Sequence, residues 1–410
     1  MSSATKVSTT TQEKIILGLQ HVLAMFGATV LVPILTGLDP AIAILSAGLG
    51  TLVFHLCTKG MVPVFLGSSF AFIPVIALVL QEEGLAAVKG GVIVAGLIYA
   101  IMAGVIKLFG VEKVRSFFPP IVAGPIIMVI GLSLSPVAIN SSLYNQGSFD
   151  VKYLIVSSIV VLTMIIVSIF AKGFFKLVPI LIAVVVGYLV SLPLGLVDVE
   201  TIANANWFGI KNYEQIFTLP EFSLSGILAI APVALVVFIE HIGDITTNSA
   251  VVGKDFFKEP GVHRTMLGDG LATMVAGLLG GPANTTYSEN TGVLAVTKVY
   301  DPAVLRIAAV FAIIISFIGK IGAIINCIPS PVMGGISIIL FGMIASIGVR
   351  ILVEAHLDFS NSRNLLIAAI ILVCGIAIDS IPIYGELTIS GLTIAAILGV
   401  ILNKVLPENI

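Results

Sequence analysis

Apolar residues run through this chain in long, nearly unbroken blocks: 15–36, 40–57, 89–109, 119–138, 153–171, 178–197, 224–242, 303–326, 332–349, 364–378 and 387–403. Most approach the ~20 residues a helix needs to cross ~30 Å of hydrocarbon. Only helices and closed barrels satisfy their backbone groups in lipid, and blocks this continuous predict helices. Two stretches break the pattern. In "NTTYSENTGVLAVTK" (284–298), six of the eight side chains from Asn284 to Thr291 are small, uncharged and polar, and the other two are Tyr287 and the carboxylate of Glu289. The other is "FLGSSFAFIPVIALVL" (65–80). Each follows a Gly- or Pro-marked break and leads into an apolar helix too short to span.

Set side by side, "SSFAF" (68–72) and "TTYSE" (285–289) both read hydroxyl, hydroxyl, aromatic, small, a register that pairs Phe72 with Glu289. Matching interruptions in two halves of a membrane chain point to an inverted-repeat transporter with its substrate near the midplane, at broken-helix ends. The expected halves are 15–200 and 224–410, preceded by a cytosolic tail at 1–14 and joined by an extracellular loop at 201–223. Irregular backbone at membrane depth must be buried or line a cavity. Both stretches are therefore expected to face a binding site.

Composition sharpens the class. The 410 residues are 58% hydrophobic and 10% charged, against roughly 25% charged in a soluble domain, so the chain reads as an all-α polytopic membrane protein. With a cytosolic N-terminus and two re-entrant elements, Lys89, Lys152, Lys211 and Lys320 fall outside, and the other sixteen of the 20 Lys and Arg, Lys6 among them, fall inside. That bias puts both termini in the cytosol, turns the connections at 139–152 and 198–223 outward, and sets Lys320 and Asp379 near the outer interface. The tail lacks the features of a signal peptide. A net charge of -2 without a basic cluster argues against nucleic acid as a partner. Cys57, Cys327 and Cys374 have no metal-ligand or redox spacing and read as small buried hydrophobes. No metal or organic cofactor is expected.

Against this apolar background a few ionisable groups stand out. After fifteen apolar residues the block at 224–242 runs into "IEHIGDITTNS". Glu240 and Asp244 share a helix face that should look into the bundle, while His241 is turned about 100° away. "MLGDGLATM" adds Asp269, and the broken stretch adds Glu289 and Asn290. Ionisable groups at membrane depth mark substrate or proton pathways. Burial disfavours their charged form, which makes Glu240 and Glu289 natural proton carriers. For Asp244 and Asp269 a second reading stands beside this one, as interhelical hydrogen-bonding groups or boundary residues. Gln20 and His21 either reach the site or pair between helices. His55, His263 and His356 read as structural or solvated.

The residues "ENTGVLAVTK" (289–298) resemble the signature of the nucleobase-ascorbate transporter family, also called nucleobase:cation symporter-2. That signature runs Gln, Glu or Pro, then Asn, any residue, Gly, four residues, Thr, and Arg, Lys or Gly. Glu289, Asn290, Gly292, Thr297 and Lys298 match it. "QHVLAMFGATVLVP" (20–33), "GSSFAF" (67–72) and "PVMGGIS" (331–337) are similar to further family segments.

The resemblance implies about fourteen segments in two inverted repeats of seven, with short strands crossing before the two broken helices. It implies core elements at 15–116 and 224–326, gate elements at 117–200 and 327–410, and a homodimer in the lipid of a cell membrane. Glu240 and Glu289 would bind the substrate, Phe70 would lend a backbone N–H and an aromatic wall, and Tyr287, Ser288 and Ala71 would line the pocket. Glu240, Asp244, Asp269 and His241 would couple transport to protons, with Asn290, Gln20, His21 and Ser69 in support.

Two features depart from the uracil branch, which usually carries His where this chain has Asp244 and Gly where it has Ser288. "GDIT" (243–246) and "DG" (269–270) look more like purine carriers, whereas Glu289 favours uracil. The expectation is a uracil importer driven by protons, with sodium left open as coupling ion and xanthine or another purine base as the alternative substrate. Two rivals differ in class. An intramembrane aspartyl protease needs two Asp sharing a proton, but "YD" (300–301) and "GD" (268–269) occur in the wrong order. A facilitative channel would need no proton carrier.

Overall fold

A computed structural model describes residues 10–115, 119–378, 380–384 and 387–407. Lys6, Asp379 and residues 1–9 of the tail lie outside the described residues. Helix α1 (Thr11–Thr36) opens on a capping box between Thr10 and Glu13 and stops at Gly37, φ 87°, a left-handed position that favours glycine. Helix α2 (Pro40–Cys57) starts on Asp39, whose carboxylate accepts from the N–H groups of Ala41 and Ile42. Next come β1 (Leu66–Ser68), a 3-10 turn (Phe70–Phe72), α3 (Ile73–Glu82), α4 (Leu85–Phe109) and α5 (Val111–Arg115). The first half ends with α6 (Pro120–Ser133), α7 (Ser135–Leu143), the hairpin β2 (Tyr144–Asn145) and β3 (Ser148–Phe149), α8 (Val151–Phe170) and α9 (Pro179–Ser191).

A connection bearing α10 (Val199–Asn204) and α11 (Glu214–Phe217) leads to α12 (Leu224–Ile230), α13 (Val233–Val252), α14 (Val262–Leu279), β4 (Asn284–Thr286) and α15 (Ser288–Thr297). The chain closes with α16 (Pro302–Ser316), α17 (Gly319–Asn326), α18 (Ser330–Glu354), α19 (Ser362–Ala377), β5 (Ser380–Tyr384), β6 (Leu387–Ser390) and α20 (Gly391–Val405). Among the described residues, seven helical stretches are long and apolar enough to cross a membrane. The molecule is a helical polytopic membrane protein.

Several apolar blocks are not single helices. The block at 303–326 divides into α16 and α17, because Ile318 bridges to Phe208 and the N–H groups of Gly209 and Gly319 donate to Phe317 O and Trp207 O at 2.9 and 3.0 Å. The block at 224–242 breaks at Ala231 and Pro232, and α13 then continues to Val252; proline lacks the N–H an unbroken helix needs. The first four residues of the block at 387–403 belong to β6. Lys89, expected near the outer water, is buried to 1% exposure. Its ammonium donates to the carbonyls of Gln215, Ile216 and Thr218 at 3.0, 3.1 and 2.6 Å. All three donors of the cation are satisfied, which offsets part of the cost of its burial.

Helix packing falls into two groups. In one, α2 lies against α14, with α4 on α14 and α16 on α2. In the other, α6 lies against α18, with α19 on α6 and α8 on α18. Small residues let these backbones approach: a β-carbon on Gly96 would sit 2.6 Å from Gly270 O, and one on Gly348 would sit 2.5 Å from Gly124 O. Helix α1 reaches from the first group to α9 in the second.

Candidate functional site

Strands β1 and β4 pair antiparallel, with Leu66 opposite Thr286, Gly67 opposite Thr285 and Ser68 opposite Asn284. A threonine one helix back clamps each strand at its first residue. Thr51 Oγ1 accepts from the Leu66 N–H at 2.9 Å and points its own hydrogen at Leu66 O, 3.5 Å away. Thr273 Oγ1 does the same for Asn284, at 3.2 and 3.1 Å. The ladder ends on a matched pair, Ser69 N–H to Ala283 O at 2.9 Å and Tyr287 N–H to Phe65 O at 3.0 Å. These bonds make Ser69 the counterpart of Tyr287, Phe70 of Ser288 and Ala71 of Glu289. The sequence pairing of Phe72 with Glu289 is therefore one residue out of step: aromatic rings were matched there, whereas the backbone frame is set by hydrogen bonds.

Both strands end where a helix begins, at Phe70 and at Ser288. First-turn N–H groups have no carbonyl one turn back to bond, so those of Phe70, Ala71 and Ser288 are donors available at the crossing, while that of Glu289 bonds its own carboxylate. Phe70 is half-buried. Ala71 and Ser69 are buried, and Ser69 Oγ has no partner among the described residues. The two strand-led helices thus aim partial positive charge at one place.

Helix α13 supplies the acidic wall. Glu240 and Glu289 are both half-buried, and neither carboxylate takes a hydrogen bond or ion pair from another described residue. Glu289, Asp244 and Asp269 all stand within electrostatic reach of Glu240. Both free carboxylates belong to the second half of the chain; the first half contributes Phe70 and Ala71. Asp244, one turn beyond Glu240, accepts from Thr286 Oγ1 at 2.8 Å and from Ser288 Oγ at 2.5 Å.

His241 and Asp269 are fully buried. His241 Nε2 lies 2.9 Å from Thr265 Oγ1, and that hydroxyl gives its hydrogen to Val262 O at 3.0 Å. On its other side the ring meets Asp269, with Nδ1 3.0 Å from Asp269 Oδ2, so the imidazole ties α13 to α14 through both nitrogens. Asp269 Oδ1 and the nearby buried Tyr99 hydroxyl have no partner among the described residues.

The remaining sequence candidates separate into supports and neighbours. Tyr287 is 3% exposed, its hydroxyl donates to Ser68 O at 3.0 Å, and its ring covers Gly67, where a β-carbon would come within 2.3 Å of it. It stands behind the strand crossing. Asn290 Nδ2 donates to His21 O at 3.0 Å and meets His21 Nδ1 at 3.1 Å, tying α15 to α1. His21 therefore pairs between helices. Gln20 is half-buried next to it. Sequence reasoning missed Thr286, Thr265 and Asn248. Asn248 is buried and donates to Pro63 O at 3.1 Å and Thr291 Oγ1 at 3.2 Å. Its signal was present: 240, 244 and 248 are successive i+4 positions on one helix face.

Carboxylates without a partner among the other described residues, beside two strand-led helix starts in a helical membrane chain, are the kind of site a membrane permease uses. The family model Xan_ur_permease, described as a permease family, matches residues 12–383, and the chain belongs to this family of uracil and xanthine permeases, which are transporters and not enzymes. It is 46% identical to the uracil permease of Bacillus caldolyticus over 396 residues, 96% of this chain and 92% of that protein. It is 40% identical to the uracil permease of Escherichia coli K12 over 392 residues, 95% of this chain and 90% of that one. The fold is shared with the transmembrane domain of a cyanobacterium bicarbonate transporter, BicA, at a TM-score of 0.66 and 18% identity over 94% of this chain and 96% of that one. Murine Slc26a9, an anion transporter in the inward-facing state, shares it at 0.69 and 11% identity, over 97% of this chain and 68% of that one.

Proposed function

We propose that the chain imports uracil across the cytoplasmic membrane as a proton-coupled symporter working by alternating access. One observation carries this reading: Glu240 and Glu289 present carboxylates with no partner from other described residues beside the free N–H groups of Phe70 and Ala71. A uracil ring offers N–H donors flanked by carbonyl acceptors. Carboxylates accept from the former and helix-start N–H groups donate to the latter. A base that leaves such groups unpaired would be rejected strongly. The uracil permeases among its relatives support the choice of pyrimidine. Asp244 and Asp269, the purine-like features of the sequence, favour xanthine or another purine base as the second reading.

Several carboxylates charged together in a low dielectric repel one another. A proton on Glu240 relieves that cost and lets the base bind alongside Glu289; its loss on the cytosolic side releases the base. His241, Asp269 and Asp244 orient Glu240, while Asn290 and His21, with Ser69 and Gln20 nearby, hold the crossing in place. The proton is the proposed coupling ion, with sodium as the alternative. The group built on α2 and α14 acts as the core (15–116 and 224–326). It rocks against a gate built on α6 and α18 (117–200 and 327–410), in two inverted repeats of seven that assemble as a homodimer with both termini cytosolic.

The test is accumulation of labelled uracil by proteoliposomes under an inward proton gradient, with unlabelled bases as competitors. Expected are competition by uracil, collapse with a protonophore, and no accumulation in Glu240→Gln. Proton-driven accumulation undiminished in Glu240→Gln contradicts the mechanism, and competition by xanthine alone transfers the site to the second reading.

A further inference from the structure

We propose that Asp244, Thr286 and Ser288 form a latch that sets the spacing between Glu240 and Glu289, and that Asp244 and the Ser288 hydroxyl act through this latch without touching the substrate. The inference rests on the reading of the site as a nucleobase pocket and assigns these residues a positioning role within it.

Each hydroxyl owns one hydrogen, and both are spent on Asp244: Thr286 on Oδ2 at 2.8 Å, Ser288 on Oδ1 at 2.5 Å. Hydroxyl donors on a carboxylate make short, strong bonds. The donors are the last residue of β4 and the first residue of α15, so a single side chain on α13 grips the strand–helix junction from both sides. One turn further on, Asn248 donates to Thr291 Oγ1 at 3.2 Å, a second rung between α13 and α15. Glu240 lies one turn before the first rung and Glu289 is the residue after Ser288. Glu240 therefore precedes the first rung and Glu289 falls between the two, and the rungs fix how far apart the two free carboxylates stand. Thr286 is buried, whereas Ser288 is exposed, so the latch lies at the wet margin of the site.

The test measures equilibrium binding of labelled uracil to the detergent-solubilised protein, with thermal midpoints recorded alongside. Charge-assisted hydrogen bonds are strong and depend on geometry, so misplacing one of two convergent carboxylates forfeits part of its bond to the base. Asp244→Asn and Ser288→Ala are each expected to weaken binding about tenfold, with Ser288→Ala keeping the wild-type thermal midpoint. Because the latch works as one unit, the double variant D244N/S288A should bind no more weakly than D244N alone. Thr286→Val should weaken binding while Thr286→Ser keeps it, and this pair carries the test if D244N does not fold. Losses that multiply in the double variant, or equal binding by T286V and T286S, would overturn the latch. Failure of the wild type to bind any base overturns the nucleobase reading and the latch with it, whereas wild-type binding with multiplying losses overturns the latch alone.

Discussion

The last carbonyls of a helix have no partner within it and carry partial negative charge. In a chain with 20 Lys and Arg, several of these cations end on such groups. Besides Lys89, Lys320 donates to Ile202 O and Ala203 O at the end of α10, at 2.8 and 2.7 Å. Arg264 donates to Cys57 O at 2.9 Å, and Arg363 to Asn403 O at 2.7 Å. Lys89→Met would take the donor from three carbonyls, and residues 211–222 should then be cut faster in limited proteolysis, with wild-type cutting rates contradicting the role. An ion pair joins Lys14 of α1 to Asp301 at 2.6 Å. Partial burial pushes the Asp301 carboxyl up, but the Lys14 ammonium, the Ala303 N–H it caps and Arg306 outweigh it and hold the group below its ordinary value. The contribution of Asp301 is therefore complete above the usual carboxylate range, near pH 4, and is lost as pH falls through the lower folded value. Asp301→Asn should flatten the acid limb of a stability profile recorded below about pH 4. At this scale Glu240 and Glu289 stand out in the sequence as carboxylates beside apolar runs, and the structure brings them within electrostatic reach of each other. The pairing of His241 with Asp269 was not legible there, since the partner sits on a different helix and nothing local in the sequence announces it.

Strands three residues long are marginal on their own, and here the paired threonine clamps fix them. Replacing Thr51 or Thr273 by Val keeps the shape and strands a buried N–H and C=O, at a cost of about 1–3 kcal/mol. Each variant should lower the thermal midpoint by about 2–4 °C; unchanged midpoints would mean the clamps contribute nothing. The broken elements were legible as polar interruptions, and the helices around them as apolar blocks. Their register was not, because aromatic-to-aromatic likeness competes with a ladder of backbone bonds invisible in the side chains. The divisions of 224–242 and 303–326 escaped for a related reason. Pro232 lies inside an apolar run, and the bridge from Phe208 to Ile318 joins residues remote in sequence.

At the scale of the molecule, two packed groups bridged by α1 and touching also where α13 meets α6 and α20 make relative motion the natural device for transport. Gly27 on α1 touches Ile180 on α9: a β-carbon at 27 would stand 2.8 Å from the Ile180 β-carbon, near enough for a disulfide after a small shift. With Cys57, Cys327 and Cys374 replaced, an oxidised pair of cysteines at 27 and 180 should arrest uracil uptake and leave uracil binding intact; uptake that persists when cross-linked contradicts rocking between these groups. Joint grip of one base by Glu240 and Glu289 is tested most directly by equilibrium binding of labelled uracil to the purified wild type, Glu240→Gln, Glu289→Gln and the double variant. The expected result is a loss of about tenfold or more in each single variant, with hydrogen bonds to charged groups contributing about 1.5–3 kcal/mol, and a double loss smaller than the product. Wild-type affinity in either single variant contradicts it.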